Sequence, residues 1–247
     1  MEGKEMKTYT ASDLEARYLE LSERALAECV FTTELVGGAP ADEAGTRAFV
    51  THHLKLSGDE AEKAVRRILS EEIPKNTAGE EQELEERQTY GISILRRDEA
   101  GPWIGDWMVK ACLKAAASRL GLFMSKRGSK GDVAEMGRVQ AIGLSRSGLP
   151  ERIHLYRDGG PAATYFQQFK GRVQAPSGSV SIVGDRECAA AGTCFTFEFA
   201  WRKGKLSEDD VVSIFAAAQN IGLGSAKAFE RGKFRVDTLR IGAREAA

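Results

Sequence analysis

A chain of 247 residues, 42% hydrophobic and 29% charged, is long enough to bury a sizeable core and has the make-up of an ordinary soluble globular protein. Its apolar runs fall short of the roughly 18 residues needed to cross a bilayer, and the start, MEGKEMKTYT, has no signal-peptide stretch, so the expected location is the cytoplasm, away from membranes. A net charge of −1 speaks against a nucleic-acid binder, yet residues 1–100 hold 13 basic and 22 acidic side chains whereas residues 101–247 hold 22 and 14. Halves of opposite sign point to a face built for an anion, or to copies that attract head to tail; acidic helices that merely solvate the first half are the plainer alternative.

Ser12 and Glu15 form a capping-box pattern, and Leu14, Tyr18, Leu21 and Ala25 recur at helical spacing, which predicts a helix over 12–26. CVFTTELVGG (29–38) reads as a strand running into a turn, and APADEAGTRAF after it as loop. Ala61, Ala64, Val65, Ile68 and Leu69 make the stripe of an amphipathic helix over 59–72, closed by Pro74. The acidic stretch KNTAGEEQELEERQ (75–88) is a surface insertion or linker. TYGISILRR (89–97) is the next strand and DEAGP its turn. Trp103, Ile104, Trp107, Met108, Ala111 and Ala115 then line a helical face through residue 120, with Lys110, Lys114 and Arg119 elsewhere on the wheel. SKRGSKG (125–131) has the composition of a cationic loop. Strands follow at 136–144, 151–157, 163–174 and 179–183; Tyr165, Phe166 and Phe169 beside Lys170 and Arg172 make a mixture able to contact an unpaired nucleic-acid strand, or an ordinary half-buried strand.

The last quarter has the clearest pattern. CFTFEFAW (194–201) alternates as a one-sided strand does. Ser207 then caps a helix whose first turn holds Glu208, Asp209 and Asp210 and whose stripe is Val211, Ile214, Phe215 and Ala218. A glycine-rich turn, IGLGSAKAFERGKF (221–234), and the strand KFRVDTLRI (233–241) complete the chain. Strand, helix, glycine turn and strand form half of a ferredoxin-like fold, with the turn at a sheet edge. Gly222, Gly224 and Gly232 let backbone amides approach a ligand, and Lys227, Arg231 and Lys233 set its sign as negative; a helix cap followed by a hairpin turn would use the same glycines.

Cys29, Cys112, Cys188 and Cys194 include no CxxC pair, and His52, His53 and His154 stand in no ligand spacing with them, so no metal site, disulfide framework or cofactor is expected. Most of the cysteines read as small core residues. Nucleophile elbows and Walker-type loops are absent from the sequence, and no catalytic residue is assigned.

Three segments resemble the RAMP superfamily of CRISPR-associated proteins. IGLGSAKAFERGKFRV is similar to its glycine-rich loop: Gly222, Gly224, Lys227 and Gly232 match, while Phe234 stands where the family has the second glycine of its last pair. ECAAAGTCFTFEFAW (187–201) is similar to the segment that opens the strand before the last helix, through Glu187, Gly192, Thr193, Phe195 and Phe197. PWIGDWMVKACLK (102–114) looks like the family's Ile-Pro-Gly-Ser-Ser-Leu-Lys-Gly-x-Leu-Arg helix start; Ile104, Lys110, Leu113 and Lys114 keep register, and Gly105, Asp106, Trp107 and Met108 replace Pro-Gly-Ser-Ser. Residues 28–120 also resemble proteins encoded in phage genomes.

The resemblance implies an α+β fold: one domain with a ferredoxin-like (RRM-like) core, a helical and acidic insertion near 40–88 and a β-rich insertion with hairpins near 124–185. It implies a binding protein rather than an enzyme, whose copies stack along a guide RNA beside other effector subunits. Lys110, Lys114, Lys126, Arg127, Lys130, Gly222, Gly224, Ser225, Lys227, Arg231 and Lys233 would contact the strand, with glycine-loop amides and cations holding phosphates without reading bases. A phage single-stranded nucleic-acid-binding or scaffold protein would use the same surface without a guide. Asp42 corresponds to the loop aspartate with which some family members cleave RNA, although its flanking residues do not match a cleaving motif and loop aspartates are ordinary turn formers.

Overall fold

The computed structural model describes residues 10, 22–40, 43–52, 55–72, 93–122, 138–141, 152–175, 178–225 and 230–242. The first described strand, β1 (Ser22–Phe31), buries Ala25, Ala27, Cys29 and Phe31, every second residue, on one face. The helix expected over 12–26 therefore does not extend through its last residues, and 12–21 lie outside the described residues. Glu23, Arg24, Ala25, Leu26, Ala27 and Glu28 all have good helix propensity. Pairing on both sides, with β13 (Cys194–Arg202) and with β14 (Phe234–Ile241), satisfies the backbone as a strand and outweighs it.

Both partners run antiparallel to β1, so β13 and β14 are parallel to each other with β1 between them. The connection is α4 (Glu208–Ile221), entered through a capping box: the Ser207 hydroxyl accepts from Asp210 N–H, and Asp210 accepts from Ser207 N–H. Its buried residues are Val211, Ile214, Phe215 and Ala218, the stripe expected from the sequence. The outer edge of β13 pairs antiparallel with β7 (Arg138–Ala141), so the central strands run β14-β1-β13-β7. A second helix, α3 (Asp106–Arg119), packs beside α4 on the same sheet face, where Cys112 Sγ donates to Ala218 C=O at 3.5 Å. The core between sheet and helices is aromatic. Phe31 stacks on Phe195 with centroids 4.7 Å apart, Phe234 meets Phe195 edge-on at 5.5 Å, and Phe215 of α4 stacks on Phe197 at 5.9 Å.

Two expectations before α3 are corrected. APADEAGTRAF is not loop throughout: after β2 (Leu35–Val36) it forms β3 (Ala39–Pro40) and then α1 (Glu43–His52), where Val50 is buried against α2 (Gly58–Arg67) in a small core with Ala61, Ala64, Val65 and Ile68. A π-helical turn, Ile68–Glu72, continues α2. Trp103 and Ile104 are not helical: they belong to β6 (Gly101–Gly105), hairpinned with β5 (Arg96–Asp98). Because α3 starts at Asp106, its buried stripe is Val109, Cys112, Leu113, Ala116 and Ala117, and Ala111 faces solvent. Reading Trp103 and Ile104 as helical sets the expected stripe on Trp107, Met108, Ala111 and Ala115, which at about 100° per residue lies roughly 150° around the helix from the face that is buried.

β6 also pairs with β8 (Arg152–His154), making a small third sheet. β9 (Tyr156–Arg157) and β10 (Gly160–Pro161) extend the central sheet past the end of β13. The long hairpin of β11 (Thr164–Ala175) and β12 (Gly178–Ala189), whose second strand reaches well beyond the expected 179–183, joins β4 (Ser93–Ile94) and β3 in a sheet of order β11-β12-β4-β3, with β2 also on β12. The protein is thus α+β, with mostly antiparallel sheets. Among the described residues no helix is long and apolar enough to cross a membrane.

Candidate nucleic-acid interface

The glycine turn between α4 and β14, the outer strand of its sheet, lies against the segment 32–38 that leaves β1. Gly222 ends α4 at φ 77°, its N–H still bonded to Ala218 C=O at 3.3 Å. Leu223 N–H donates to Gly232 C=O at 2.8 Å, Gly232 N–H to Glu34 C=O at 2.7 Å, and Ser225 N–H to Val36 C=O at 3.3 Å. Lys233 N–H ends on the Thr33 hydroxyl at 2.9 Å, which donates to Glu230 C=O. These amides are therefore spent on the protein itself. The glycines serve a backbone-to-backbone approach: a Cβ on Gly232 would lie 1.8 Å from Leu223 O, and one on Gly224 2.6 Å from Val36 O. Both also have positive φ, 71° and 85°, which favours glycine.

Side chains rather than amides set the local charge. Arg231 pairs with Glu34, and Lys233 Nζ lies 3.4 Å from Glu230 Oε1. The Ser225 hydroxyl donates to Gly37 C=O at 2.7 Å and accepts from Arg186 Nη1 at 3.2 Å. Arg186 stands on β12, its guanidinium 5.4 Å from the centre of the Phe169 ring. Nothing in the turn itself signals this arginine; it comes from 39 residues upstream and is brought in by the β11–β12 register.

Gly222, Gly224, Ser225, Arg231 and Lys233 are thus gathered in one turn. Lys110 and Lys114 are half-buried on α3, a different element, one turn apart on the flank of its buried stripe. Lys126, Arg127, Lys130 and Lys227 lie outside the described residues, as does Asp42.

Next to the turn, Glu187 links the sheets. Its carboxylate is 1% exposed and accepts from Leu95 N–H at 2.9 Å, from the Thr164 hydroxyl at 2.5 Å and from Arg97, while its C=O accepts from Gly37 N–H at 2.8 Å. Burial, and then the Glu187 charge, push the neighbouring Cys188 thiol up to about 11. On the third sheet Asp98 accepts from Arg152 Nη1 at 2.7 Å and bonds His154 Nε2 at 2.9 Å. Burial opposes ionisation there, but the bonds from Arg152 and His154 outweigh it and hold the Asp98 carboxyl below its usual range. Trp103 lies close to the guanidiniums of Arg96 and Arg152, at 5.8 and 5.0 Å from its ring centre, and Arg96 covers Phe49 at 3.9 Å, tying α1 to this sheet. Among the described residues no group of three His, Cys, Asp or Glu side chains is arranged to hold a metal ion.

Neither a protein-family model nor a curated protein matches the chain. Solved structures similar to it include one described as a Type III-B Cmr-beta complex bound to cognate target RNA, at TM-score 0.41 and 10% identity over 94% of this chain, and Cmr6 from Pyrococcus furiosus, at TM-score 0.41 and 9% identity over 87% of this chain and 98% of that one. The chain spans 65% of the length of the first.

Proposed function

We propose that the protein is an RNA-binding subunit of a CRISPR-associated, RAMP-type ribonucleoprotein, whose copies line up along a guide RNA next to other effector subunits, and that it acts by binding rather than by catalysis. One observation carries this reading: the three sequence segments that resemble the superfamily, far apart in the chain, belong to one folded unit. The first, PWIGDWMVKACLK, opens α3; the second holds Glu187 and becomes β13; the third is the glycine turn joining α4 to β14. α3 and α4 pack side by side over the sheet that β13 and β14 build around β1.

The strand order β14-β1-β13-β7, antiparallel between neighbours and crossed by two helices on one face, supports a ferredoxin-like core. On this reading α1, α2 and the β11–β12 hairpin are insertions into a single domain. The opposed charges of the two halves of the chain favour stacking of copies head to tail, with the basic half following the RNA.

Purification without nuclease, followed by the ratio of absorbance at 260 and 280 nm and by sequencing of any extracted nucleic acid, tests the reading. Short RNA of uniform length with a repeat-derived end is the expected result. Heterogeneous single-stranded nucleic acid would favour a binder that works without a guide. Protein free of nucleic acid, with no shift of RNA at low salt, would overturn the proposal.

A further inference from the structure

Most of the candidate cations around the glycine turn already have anionic partners, and this decides which of them is available to a phosphate. Arg231 is held by Glu34, and Lys233 is within 3.4 Å of Glu230. Arg186 differs: among the described residues its contacts are the Ser225 hydroxyl and the face of Phe169, and no carboxylate pairs with it. Both contacts orient the guanidinium without neutralising it. A stacked arginine that donates one N–H keeps its charge and its remaining donors, already ordered in a plane, for a bidentate contact with an anion. The serine is itself fixed, since its only hydrogen goes to Gly37 C=O at 2.7 Å. Gly38 lies under it, where an added Cβ would be 3.1 Å from Ser225 Cβ.

The surroundings suit a nucleotide. Gln167 lies directly across the hairpin from Arg186, so both point to one face, and its amide oxygen is buried without a hydrogen-bond partner. Tyr165 and Phe169 flank it on the same face, and Tyr165 is 38% exposed. A cation and an exposed aromatic on one face are groups that meet phosphate and base along a single strand.

We infer that Arg186, presented by Phe169 and Ser225 at the junction of the β11–β12 hairpin with the glycine turn, is the phosphate-contacting residue of this end of the molecule. The inference rests on the RNA-binding reading above and changes its emphasis. The glycine turn positions Ser225 and through it Arg186, and Arg231 holds the turn closed instead of meeting RNA.

The test is binding of a fluorescein-labelled oligouridine by fluorescence anisotropy across a salt series, with the full chain. Arg186→Gln is expected to weaken binding about tenfold at low salt, as the loss of a charge-assisted hydrogen bond does, and to lower the slope of log Kd against log salt by about 0.7, one phosphate contact on a single strand. Arg186→Lys keeps the charge and is expected to keep the slope while losing part of the affinity, and Arg231→Gln is expected to leave the slope unchanged. Far-UV circular dichroism and melting of each variant separate folding from binding, and the lysine variant still reports if the glutamine variant is unfolded. Wild-type binding with Arg186→Gln equal to it in affinity and slope would overturn the inference and leave the RNA-binding reading standing. A wild-type protein that does not bind the oligouridine would overturn both.

Discussion

Replacing Gly232 with alanine tests the interlocking of the glycine turn with the start of the chain, and a second glycine provides the control. Gly204 has nearly the same φ, 74° against 71°, but an added Cβ there meets nothing within 4 Å. Gly204→Ala therefore isolates the cost of holding a β-carbon at positive φ, about 1–2 kcal/mol. At Gly232 the same Cβ would lie 1.8 Å from Leu223 O and 2.8 Å from Leu223 C, so the two backbones must separate by more than about 1 Å to reach ordinary contact. That movement breaks the 2.8 Å bond from Leu223 N–H to Gly232 C=O and strains the 2.7 Å bond from Gly232 N–H to Glu34 C=O, both in buried surroundings. Leaving one such donor without a partner costs about 1–3 kcal/mol, so the total for Gly232→Ala is about 4 kcal/mol. For a chain of this size the melting temperature should fall by about 8–16 °C, against about 2–8 °C for the control. Differential scanning calorimetry or urea unfolding followed by circular dichroism reads both. If Gly232→Ala melts no lower than Gly204→Ala, the turn does not pack as described and the steric argument fails.

Three further outcomes follow from the same geometry. Glu187→Ala strands Leu95 N–H in the core and removes the partner of Arg97, whose side chain is one-third exposed and rehydrates in part; urea unfolding should register a loss of about 3 kcal/mol, and Glu187→Gln a smaller one. Asp98 has a folded pKa below its ordinary value of 3.8, so its stabilising contribution is present above that value and is lost as the pH falls through the lower, folded one. Asp98→Asn should accordingly be less stable near neutrality and show a flatter acid limb in a pH series of melting temperatures; an unchanged acid limb would refute the assignment. With its thiol raised to about 11, Cys188 is thiolate in only about one molecule in a thousand at pH 8. Burial raises Cys29 as well, so iodoacetamide followed by peptide mass spectrometry should modify Cys29, Cys112 and Cys188 only after unfolding; rapid labelling of Cys188 in the native protein would contradict its burial.

The parts of the fold that could be read from the sequence are those in which local signals agree. Ser207 with three acids after it, followed by Val211, Ile214, Phe215 and Ala218, contains a start, a favourable dipole interaction and a period, and α4 has that start and that stripe. The apolar face of CFTFEFAW is buried in β13 through Phe195, Phe197, Phe199 and Trp201, while Glu198 and Ala200 on the other face are buried as well, so the strand is one-sided only in its first half. The misreadings lie where local signals conflict. Ala25 fits both the helical spacing set by Leu14, Tyr18 and Leu21 and the alternation with Ala27, Cys29 and Phe31, and a strand won because β13 and β14 were available on its two sides. α3 was misphased because Trp103 and Ile104, apolar in either register, are paired in β6 with β5 and β8 instead of continuing the helix.

The candidate site divides along the same line. The turn itself, with Gly222, Gly224, Ser225, Arg231 and Lys233, is contiguous in sequence, and glycines among cations marked it as special. Two properties were beyond the reach of that pattern. Glu34, from the far end of the chain, claims the charge of Arg231, whereas Lys233 meets Glu230 within the turn, and the segment 34–36 claims the amides of Gly232 and Ser225. Arg186 sits in a strand with no local mark of function and meets Ser225 only because the β11–β12 register sets it opposite Gln167 and beside the turn.

Sequence alone therefore determined which segments would be helix or one-sided strand where caps and periods coincide, and that the end of the chain concentrates glycine and positive charge, since both are properties of neighbouring residues. Only the tertiary structure decided which edges pair, which face of α3 is buried and that Arg186 stands beside the turn without a carboxylate. Arg186 meets Ser225 across 39 residues of chain and Arg231 meets Glu34 across 197, and competition for donors and charges over such separations has no local signature.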